Sequence, residues 1–303
     1  MADSLGALAL PYSGREKMKT FTLAVSIALA IGLPATSLAH TEQPEQSQPT
    51  QSHLVNQQIT DALSNPLREP ANLERDKYRH PAETLSFFGI KPTDTVVELW
   101  PGGRWYAEIL APYLAKEGHY VAANFDANPP AEVESPAYRI RLGKALDAWL
   151  QTHSDTLGKA SSLSFEPPRL SELGAANSAD AVLTFRNLHN WAKAGVLEQV
   201  FDSAYQVLKP GGTFGVVEHR ANPGMDLSTG YMVQDEVIAL AEKAGFTLVA
   251  ASEINANAKD TKDHPKGVWT LPPSLRLGEQ DKDKYLAMGE SDRMTLKFIK
   301  KPK

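Results

Sequence analysis

The sequence contains no cysteine among its 303 residues. Disulfides, thiolate metal sites and cysteine nucleophiles are therefore excluded. Positive charge is not in excess either: 31 lysines and arginines stand against 36 aspartates and glutamates, for a formal net charge of −5. A surface that binds nucleic acid must neutralise phosphates, so this balance argues against a nucleic-acid partner. With 42% hydrophobic and 22% charged residues, the composition is otherwise that of a globular protein with a sizeable core.

A long hydrophobic run is also lacking, and the apolar segment at residues 21–33 is short for a bilayer span. It follows Met18 and a lysine, and it precedes the small residues Ser37 and Ala39, an arrangement typical of a cleaved secretory signal. We therefore expect residues 1–39 to be an upstream extension plus a signal peptide that starts at Met18. The protein is then exported, with no stable membrane insertion after cleavage. A single anchoring helix is the alternative.

Residues 40–65 contain few large apolar side chains and many Gln, Ser, Thr and Pro residues. Such a composition cannot bury a core, so we expect a flexible leader over residues 40–70. The remainder, 71–303, is predicted to be a single domain. Within it, residues 251–293 are polar and too long for a simple connector, which indicates an insertion.

Short apolar runs recur along this domain, with helical patterns between them. The strand candidates are 95–99, 120–124, 161–165, 180–185, 213–218, 246–250 and 294–299. Runs of this kind are typical of buried parallel strands, and alternating βα units place helices on both faces of a sheet. The sequence therefore predicts an α/β fold with a doubly wound, mostly parallel seven-stranded sheet.

The clearest helix is predicted from Leu197 to Leu208, where apolar residues recur at spacings of three and four. It ends at residues 209–212, Lys-Pro-Gly-Gly, a turn that stops a helix and leads into the next strand. A second helix is expected from Gln234 to Ala244.

Residues 95–110 have the pattern of a buried strand, a glycine turn and an amphipathic helix. In open α/β sheets the turn after the first strand brings backbone N–H groups close to a ligand at the carboxyl edge. Glu98, at the strand end, can accept hydrogen bonds from the hydroxyls of a ribose, and Gly102 and Gly103 lie in the turn. We predict a nucleoside-cofactor site here; an ordinary strand-to-helix turn is the alternative.

These landmarks occur in the order found in class I S-adenosylmethionine-dependent methyltransferases, which the chain resembles over residues 75–300. The Lys-Pro-Gly-Gly turn ahead of the strand at 213–218 is one of that family's more specific signatures. Three segments are similar to exported predicted methyltransferases of Gram-negative bacteria: residues 78–81, 186–191 and 218–220. The resemblance implies a Rossmann-like methyltransferase fold with an antiparallel last strand, S-adenosylmethionine as cofactor, a small-molecule substrate and a periplasmic location.

The resemblance also implies which residues bind the cofactor. They are Glu98, Gly102, Gly103, Asn124, Asp126, Arg186 and Asn187. The chain departs from the family pattern where Trp100 and Arg104 stand at usual glycine positions. It departs again where Asn124, followed by Asp126, replaces the acid that usually binds the ribose. These departures favour an alternative: an exported binding or scaffold protein with a methyltransferase-like fold that has lost transfer activity.

Methyl transfer needs an in-line approach and sometimes a base that deprotonates the acceptor. Residues 185–191 follow the fourth strand and hold His189 among amide and aromatic side chains, while Glu218 and His219 end the fifth strand. We predict His189, His219 and Glu218 as the catalytic residues. A helix cap at His189 and a salt-bridged strand end at Glu218 and His219 are the alternatives. The insertion at 251–293 is the candidate lid.

Two other classes of site are weighed against this hypothesis. His189, His219 and His264 with Asp260 or Asp263 would make a histidine and carboxylate metal set, but local ligand spacing such as His-x-x-x-His is lacking, so no metal site is predicted. A nicotinamide oxidoreductase needs Gly-x-Gly-x-x-Gly after the first strand, which the sequence does not supply. The sequence gives no indication of the oligomeric state.

Overall fold

The structure is a computed structural model that describes residues 51–302, with side chains from residue 57 onward. The predicted signal at 1–39 and the first part of the predicted leader lie outside the described residues. The strands are β1 (Thr95–Leu99), β2 (His119–Asn124), β3 (Ser161–Ser164), β4 (Ala179–Phe185), β5 (Leu208–His219), β6 (Phe246–Ser252) and β7 (Arg293–Lys300). Each of the predicted strands is confirmed.

Helices lie between the strands and before the first of them. They are α1 (Gln51–Leu63), α2 (Pro70–Leu73), α3 (Asp76–Arg79), α4 (Pro81–Phe88), α5 (Ala107–Leu114), α6 (Ala137–Thr152), α7 (Ser154–Leu157), α8 (Leu188–Lys193), α9 (Leu197–Val207), α10 (Gln234–Lys243) and α11 (Lys282–Met288). Two short 3₁₀ helices cover Leu227–Thr229 and Gly267–Thr270. None of the helices in this part of the chain is long and apolar enough to cross a membrane.

The strands form one sheet in the order β3-β2-β1-β4-β5-β7-β6. Pairs among β1 to β5 are parallel, whereas β7 runs antiparallel to both β5 and β6. The predicted doubly wound, mostly parallel sheet is therefore confirmed, as is its antiparallel last strand. Because the chain order reverses between β1 and β4, a crevice opens at the carboxyl ends of these two neighbours.

The Lys-Pro-Gly-Gly segment lies inside β5 rather than before it. Leu208 pairs with Ala179 and Thr213 pairs with Ala181, so four residues of β5 stand opposite one residue of β4. These residues form a bulge at the end of the sheet opposite the crevice, and they end α9 as predicted. The apolar face of α9 packs against the sheet through Val200, Phe201 and others, all buried.

The predicted leader is wrong for its second half. Residues 51–63 form α1, and the side chains of Ile59 and Ala62 are buried against α4 and α5. Two residues after this helix, Asn65 donates a hydrogen bond to the backbone oxygen of Glu108 at 2.9 Å. Residues 51–63 are mostly polar, but a narrow apolar stripe on one side of the helix packs against the domain.

Candidate functional site

A histidine and a glutamate meet at the carboxyl edge of β4 and β5. His189 lies in the first turn of α8, Glu218 is the penultimate residue of β5, and both are buried. The Nδ1 atom of His189 is 3.1 Å from Oε1 of Glu218. Backbone N–H groups of Leu188 and His219 donate to the same carboxylate at 2.6 and 2.8 Å. The sequence-predicted pair is therefore brought into direct contact.

The hydrogen bonds of Glu218 fix the proton on the neighbouring ring. A carboxylate only accepts hydrogen bonds, and that of Glu218 accepts from two backbone N–H groups. His189 then donates from Nδ1 and keeps its lone pair on Nε2. Because Glu218 orients the ring and can stabilise an imidazolium, the pair has the arrangement of a general base and its orienting carboxylate.

His219 lies beside this pair but in a different electrostatic state. Its ring centroid is 5.4 Å from that of His189, and its Nδ1 is 2.5 Å from the hydroxyl oxygen of Ser291. Burial holds the pKa of His219 well below its ordinary value, and the positive charge of Arg293 lowers it further. A neutral ring with so low a pKa is a weak base, so His189 is the better candidate of the two predicted bases.

A cavity of about 610 Å³ opens onto these rings. His189 and His219 line it, and Trp269 from the 251–293 insertion forms one of its walls, with a ring centroid 5.8 Å from that of His189. A volume of this size suits a small molecule rather than a macromolecule. The predicted lid residues therefore contribute a wall to the pocket; movement of this segment stays a prediction.

Asp260 and His264 of the insertion have partners away from His189. Asp260 is buried and accepts from the Tyr231 hydroxyl at 3.0 Å and from the backbone N–H of Asp292 at 2.8 Å. His264 is paired with Asp260 at 2.8 Å. The histidine is thus engaged away from His189, so the weighed set with His264 is not assembled.

A different group of potential metal ligands is assembled instead. One ligand atom each from His189, Glu218 and His219 lies within 4.8 Å of the others. In this arrangement Nδ1 of His189 is bonded to Glu218 and Nδ1 of His219 to Ser291. Both Nδ1 atoms are therefore already hydrogen-bonded within the chain in this arrangement.

Arginines dominate the remaining wall of the cavity. Arg75, Arg79, Arg186 and Arg293 surround the carboxylate of Glu290. The sequence hypotheses included only Arg186. Arg79 lies in the resembling segment 78–81, and Glu290 and Arg293 lie at the end of the predicted 251–293 insertion, where neither was given a role. The charged residues Glu290, Asp292 and Arg293, directly before the apolar strand predicted at 294–299, were the sequence signal that could have indicated this cluster.

The first turn of the sheet is filled by a side chain of its own. Trp100 follows β1 with a positive φ of 48°, and its side chain is only 7% exposed. Its ring lies 4.8 Å from the ring of Phe125 and 4.8 Å from that of Trp191. Its Nε1 donates to the backbone oxygen of Phe165 at 2.7 Å. The indole thus lies against residues that follow β2 and β3 and against Trp191 of α8.

The predicted acid at the end of β1 is also engaged. Glu98 is buried and accepts a 2.6 Å hydrogen bond from the Tyr120 hydroxyl. Burial raises the pKa of Glu98 to about 8, although the Tyr120 hydrogen bond and the charge of Arg186 oppose this shift. Glu98 is consequently a neutral acid at pH 7, held within the sheet.

Two further predicted cofactor residues, Asp126 and Asn187, have side-chain partners within the chain. Asp126 is bound by Arg169 at 2.7 Å. The Asn187 amide donates to the backbone oxygens of Leu99 and Trp100 at 3.0 and 3.2 Å. Asn187 therefore ties the loop after β4 to the first turn.

Asn124 is buried, and its Oδ1 atom has no hydrogen-bond partner among residues 51–302. Gly102 and Gly103 lie in the turn, and Gly103 is exposed with open space where a Cβ would stand. Arg104 turns away from the crevice, since its guanidinium is 3.5 Å from Glu69 and 3.8 Å from Glu108. Of the predicted cofactor residues, only Arg186 lies in the cavity with His189.

The sequence and the structure were compared with those of known proteins. No protein-family profile and no curated protein matches the sequence. Solved structures do match: a suggested sarcosine dimethylglycine methyltransferase from Galdieria sulphuraria has a TM-score of 0.50 at 14% identity, over 77% of this chain and 88% of that one. The [4+2]-cyclase SpnF also has a TM-score of 0.50 at 14% identity, over 84% and 97%.

A methyltransferase from Aquifex aeolicus that depends on S-adenosylmethionine has a TM-score of 0.49 at 14% identity, over 81% of this chain and 98% of that one. Identities this low show the fold alone. The chain therefore has the fold of class I methyltransferases, and its chemistry has to be argued from its own side chains.

The residues around the first turn do not fit S-adenosylmethionine in the arrangement described. In sheets of this kind a nucleoside lies at the carboxyl edge beside the first turn. The indole of Trp100 occupies that edge, and Glu98 and Asp126 are engaged by Tyr120 and Arg169. No step of the chemistry is therefore assigned to this cofactor.

Proposed function

We propose that this protein binds a small molecule in the cavity beside His189 and has kept the methyltransferase fold without S-adenosylmethionine-dependent transfer. The observation that carries the proposal is the position of Trp100. Its indole contacts Phe125 and Trp191 and donates to the Phe165 backbone, where the fold would otherwise receive a nucleoside. Burial of an indole whose N–H is hydrogen-bonded stabilises this arrangement by roughly 2–3 kcal/mol. A cofactor that displaced the indole would have to offset that free energy.

The His189–Glu218 pair supports a chemical role for the cavity as well as a binding role. A neutral imidazole with a free Nε2 lone pair can remove a proton from a bound hydroxyl or amine. Glu218 then stabilises the resulting imidazolium across 3.1 Å. The SpnF neighbour is named as a cyclase, so the fold is compatible with reactions other than methyl transfer.

S-adenosylmethionine-dependent methylation of a small acceptor is the second candidate function. The shared strand order favours it, and so does the place of the cavity at the carboxyl edge of β4 and β5. In that case His189 would deprotonate the acceptor. Methyl transfer requires the Trp100 indole to leave its contacts with Phe125, Trp191 and Phe165, whereas small-molecule binding beside His189 does not.

Calorimetric titration with S-adenosylmethionine and S-adenosylhomocysteine separates the two candidates. The first predicts no saturable heat for either ligand up to about 1 mM. Saturable binding with a dissociation constant below about 100 µM would refute it and support methyl transfer. Repeating the titration after treatment with a metal chelator shows whether a metal at His189, Glu218 and His219 contributes to either result.

A further inference from the structure

Four guanidinium groups converge on one carboxylate in the wall of the cavity. The carboxylate of Glu290 accepts from Arg75 Nε at 2.6 Å and from Arg79 Nε at 3.2 Å. Arg293 donates to the same carboxylate, and Arg186 Nη1 lies 4.0 Å from it. Arg79, Glu290 and Arg293 are each 3% exposed or less. The groups come from three separate parts of the chain, around α3, after β4 and before β7.

The charges in this cluster do not balance. Four arginines contribute four positive charges, and Glu290 contributes one negative charge. Among the residues described as lining the cavity, Glu290 is the only carboxylate. His219 adds no compensating charge, because its lowered pKa keeps it neutral. Burial and the charge of Arg186 lower the pKa of Arg79, and burial together with Arg293 lowers that of Arg186 to about 10. The arginines therefore repel one another at a cost to the fold.

Two buried donors in the cluster also lack partners. Arg79 Nη1 and Arg293 Nε are buried and form no hydrogen bond with any residue that the structure describes. Buried charged donors are expected to be paired, since leaving one unsatisfied costs on the order of 1–3 kcal/mol. The excess positive charge and the unpaired donors lie in the same wall of the cavity. A bound anion would neutralise part of the charge and accept hydrogen bonds from the donors.

We propose that the cavity binds its small molecule through an oxyanion, a carboxylate or phosphate group, held by Arg75, Arg79 and Arg186. Planar guanidinium groups match the oxygens of both anions and bind them in a bidentate manner. The cavity volume leaves room for the rest of a small molecule, and His189 lines the same space. This inference rests on the proposed function in taking the cavity as the ligand site, but it does not require a reaction there.

The alternative is that the arginines serve only to hold Glu290 in place. Substitution of Glu290 by Gln distinguishes the two roles by the sign of its effect. Glu290 competes with a bound anion for the arginines, so E290Q is expected to bind inorganic phosphate several-fold more tightly than the unchanged protein. A purely structural cluster gives no phosphate binding in either protein.

The test is a calorimetric titration with inorganic phosphate and, separately, with malonate, at an ionic strength held constant with sodium chloride. Arg186→Gln and Arg75→Gln are expected to weaken binding of the preferred anion by about tenfold each. Arg141→Gln removes an exposed arginine of α6 outside the cavity and is expected to bind like the unchanged protein. The stronger of the two anions identifies the group as phosphate or carboxylate.

Absence of binding for both anions in the unchanged protein and in E290Q would overturn the inference, as would an equal loss in R141Q and R186Q. Thermal unfolding of each variant without ligand shows that it is folded before it is titrated. Failure of the inference is distinguishable from failure of the proposed function. Binding of S-adenosylhomocysteine refutes the latter, whereas phosphate and malonate report only on the arginine wall.

Discussion

The indole nitrogen of Trp100 donates a 2.7 Å hydrogen bond to the backbone oxygen of Phe165. The two residues follow β1 and β3, strands separated in the sheet by β2. The indole therefore spans the edge of three neighbouring strands, with Phe125 from the end of β2 beneath it. The indole thus lies at the edge of the sheet beside the first turn, where a nucleoside binds in sheets of this kind.

Replacing Trp100 by Gly should leave a cavity of indole shape. Loss of a buried Trp costs about 3–5 kcal/mol. The net loss of stability should be smaller here, because glycine adopts the positive φ of 48° at this position without backbone strain. We expect free indole to restore stability in thermal unfolding, and adenine to do so partially, since both are flat heteroaromatics with an N–H donor.

The control for this prediction is Trp149→Ala, which removes a similarly buried indole on α6. It should be destabilised without gaining stability from either compound. If indole and adenine leave the unfolding of the W100G variant unchanged, the site has collapsed and the indole does not stand in for a base.

Stability should fall with rising pH because of Glu98. Burial raises the pKa of this acid to about 8, whereas an unfolded glutamate titrates near 4.5. The contribution is fully present below the unfolded value and is lost as the pH rises through the folded value. Glu98→Gln mimics the neutral acid and keeps an acceptor for Tyr120.

We expect E98Q to remove roughly 1–3 kcal/mol of the difference in unfolding free energy between pH 5 and pH 8. Chemical denaturation at the two pH values measures this difference. An unchanged pH dependence in E98Q would show that Glu98 is ionised in the folded protein.

The tautomer of His189 is predicted by its contact with Glu218. Imidazole nitrogen NMR should show a neutral ring protonated on Nδ1, since the carboxylate oxygen lies 3.1 Å from that atom. In Glu218→Gln the two backbone donors face an amide, so we expect loss of this preference and destabilisation by about 1–3 kcal/mol. A ring protonated on Nε2 in the unchanged protein would contradict its role as a base toward the cavity.

The seven strands could be predicted because buried parallel strands are short apolar runs, and each of the seven runs gave one strand. The helix α1 was missed because its stripe includes only a few apolar residues, such as Ile59 and Ala62, within a polar segment. Its stability comes from packing against α5, a long-range contact that local composition does not report.

The candidate site was predictable where it depends on strand ends. His189, Glu218 and Arg186 were brought together because their elements end at one edge. Glu98 and Asn187 were assigned to a cofactor, which stays a prediction; in the structure they bind Tyr120 and the first turn. The position of a bulky side chain such as Trp100 is set by its packing, which a motif comparison does not contain. Arg75 and Glu290 are 215 positions apart, and only folding brings them together.

The most direct test of the account observes the Trp100 indole itself during a titration with S-adenosylhomocysteine. Its N–H signal in a nitrogen–proton NMR spectrum is identified by its loss in the Trp100→Phe variant. We predict a single, slowly exchanging signal that does not move at ligand concentrations up to about 1 mM. A signal that shifts or disappears saturably, showing that the ligand displaces the indole, would contradict the account.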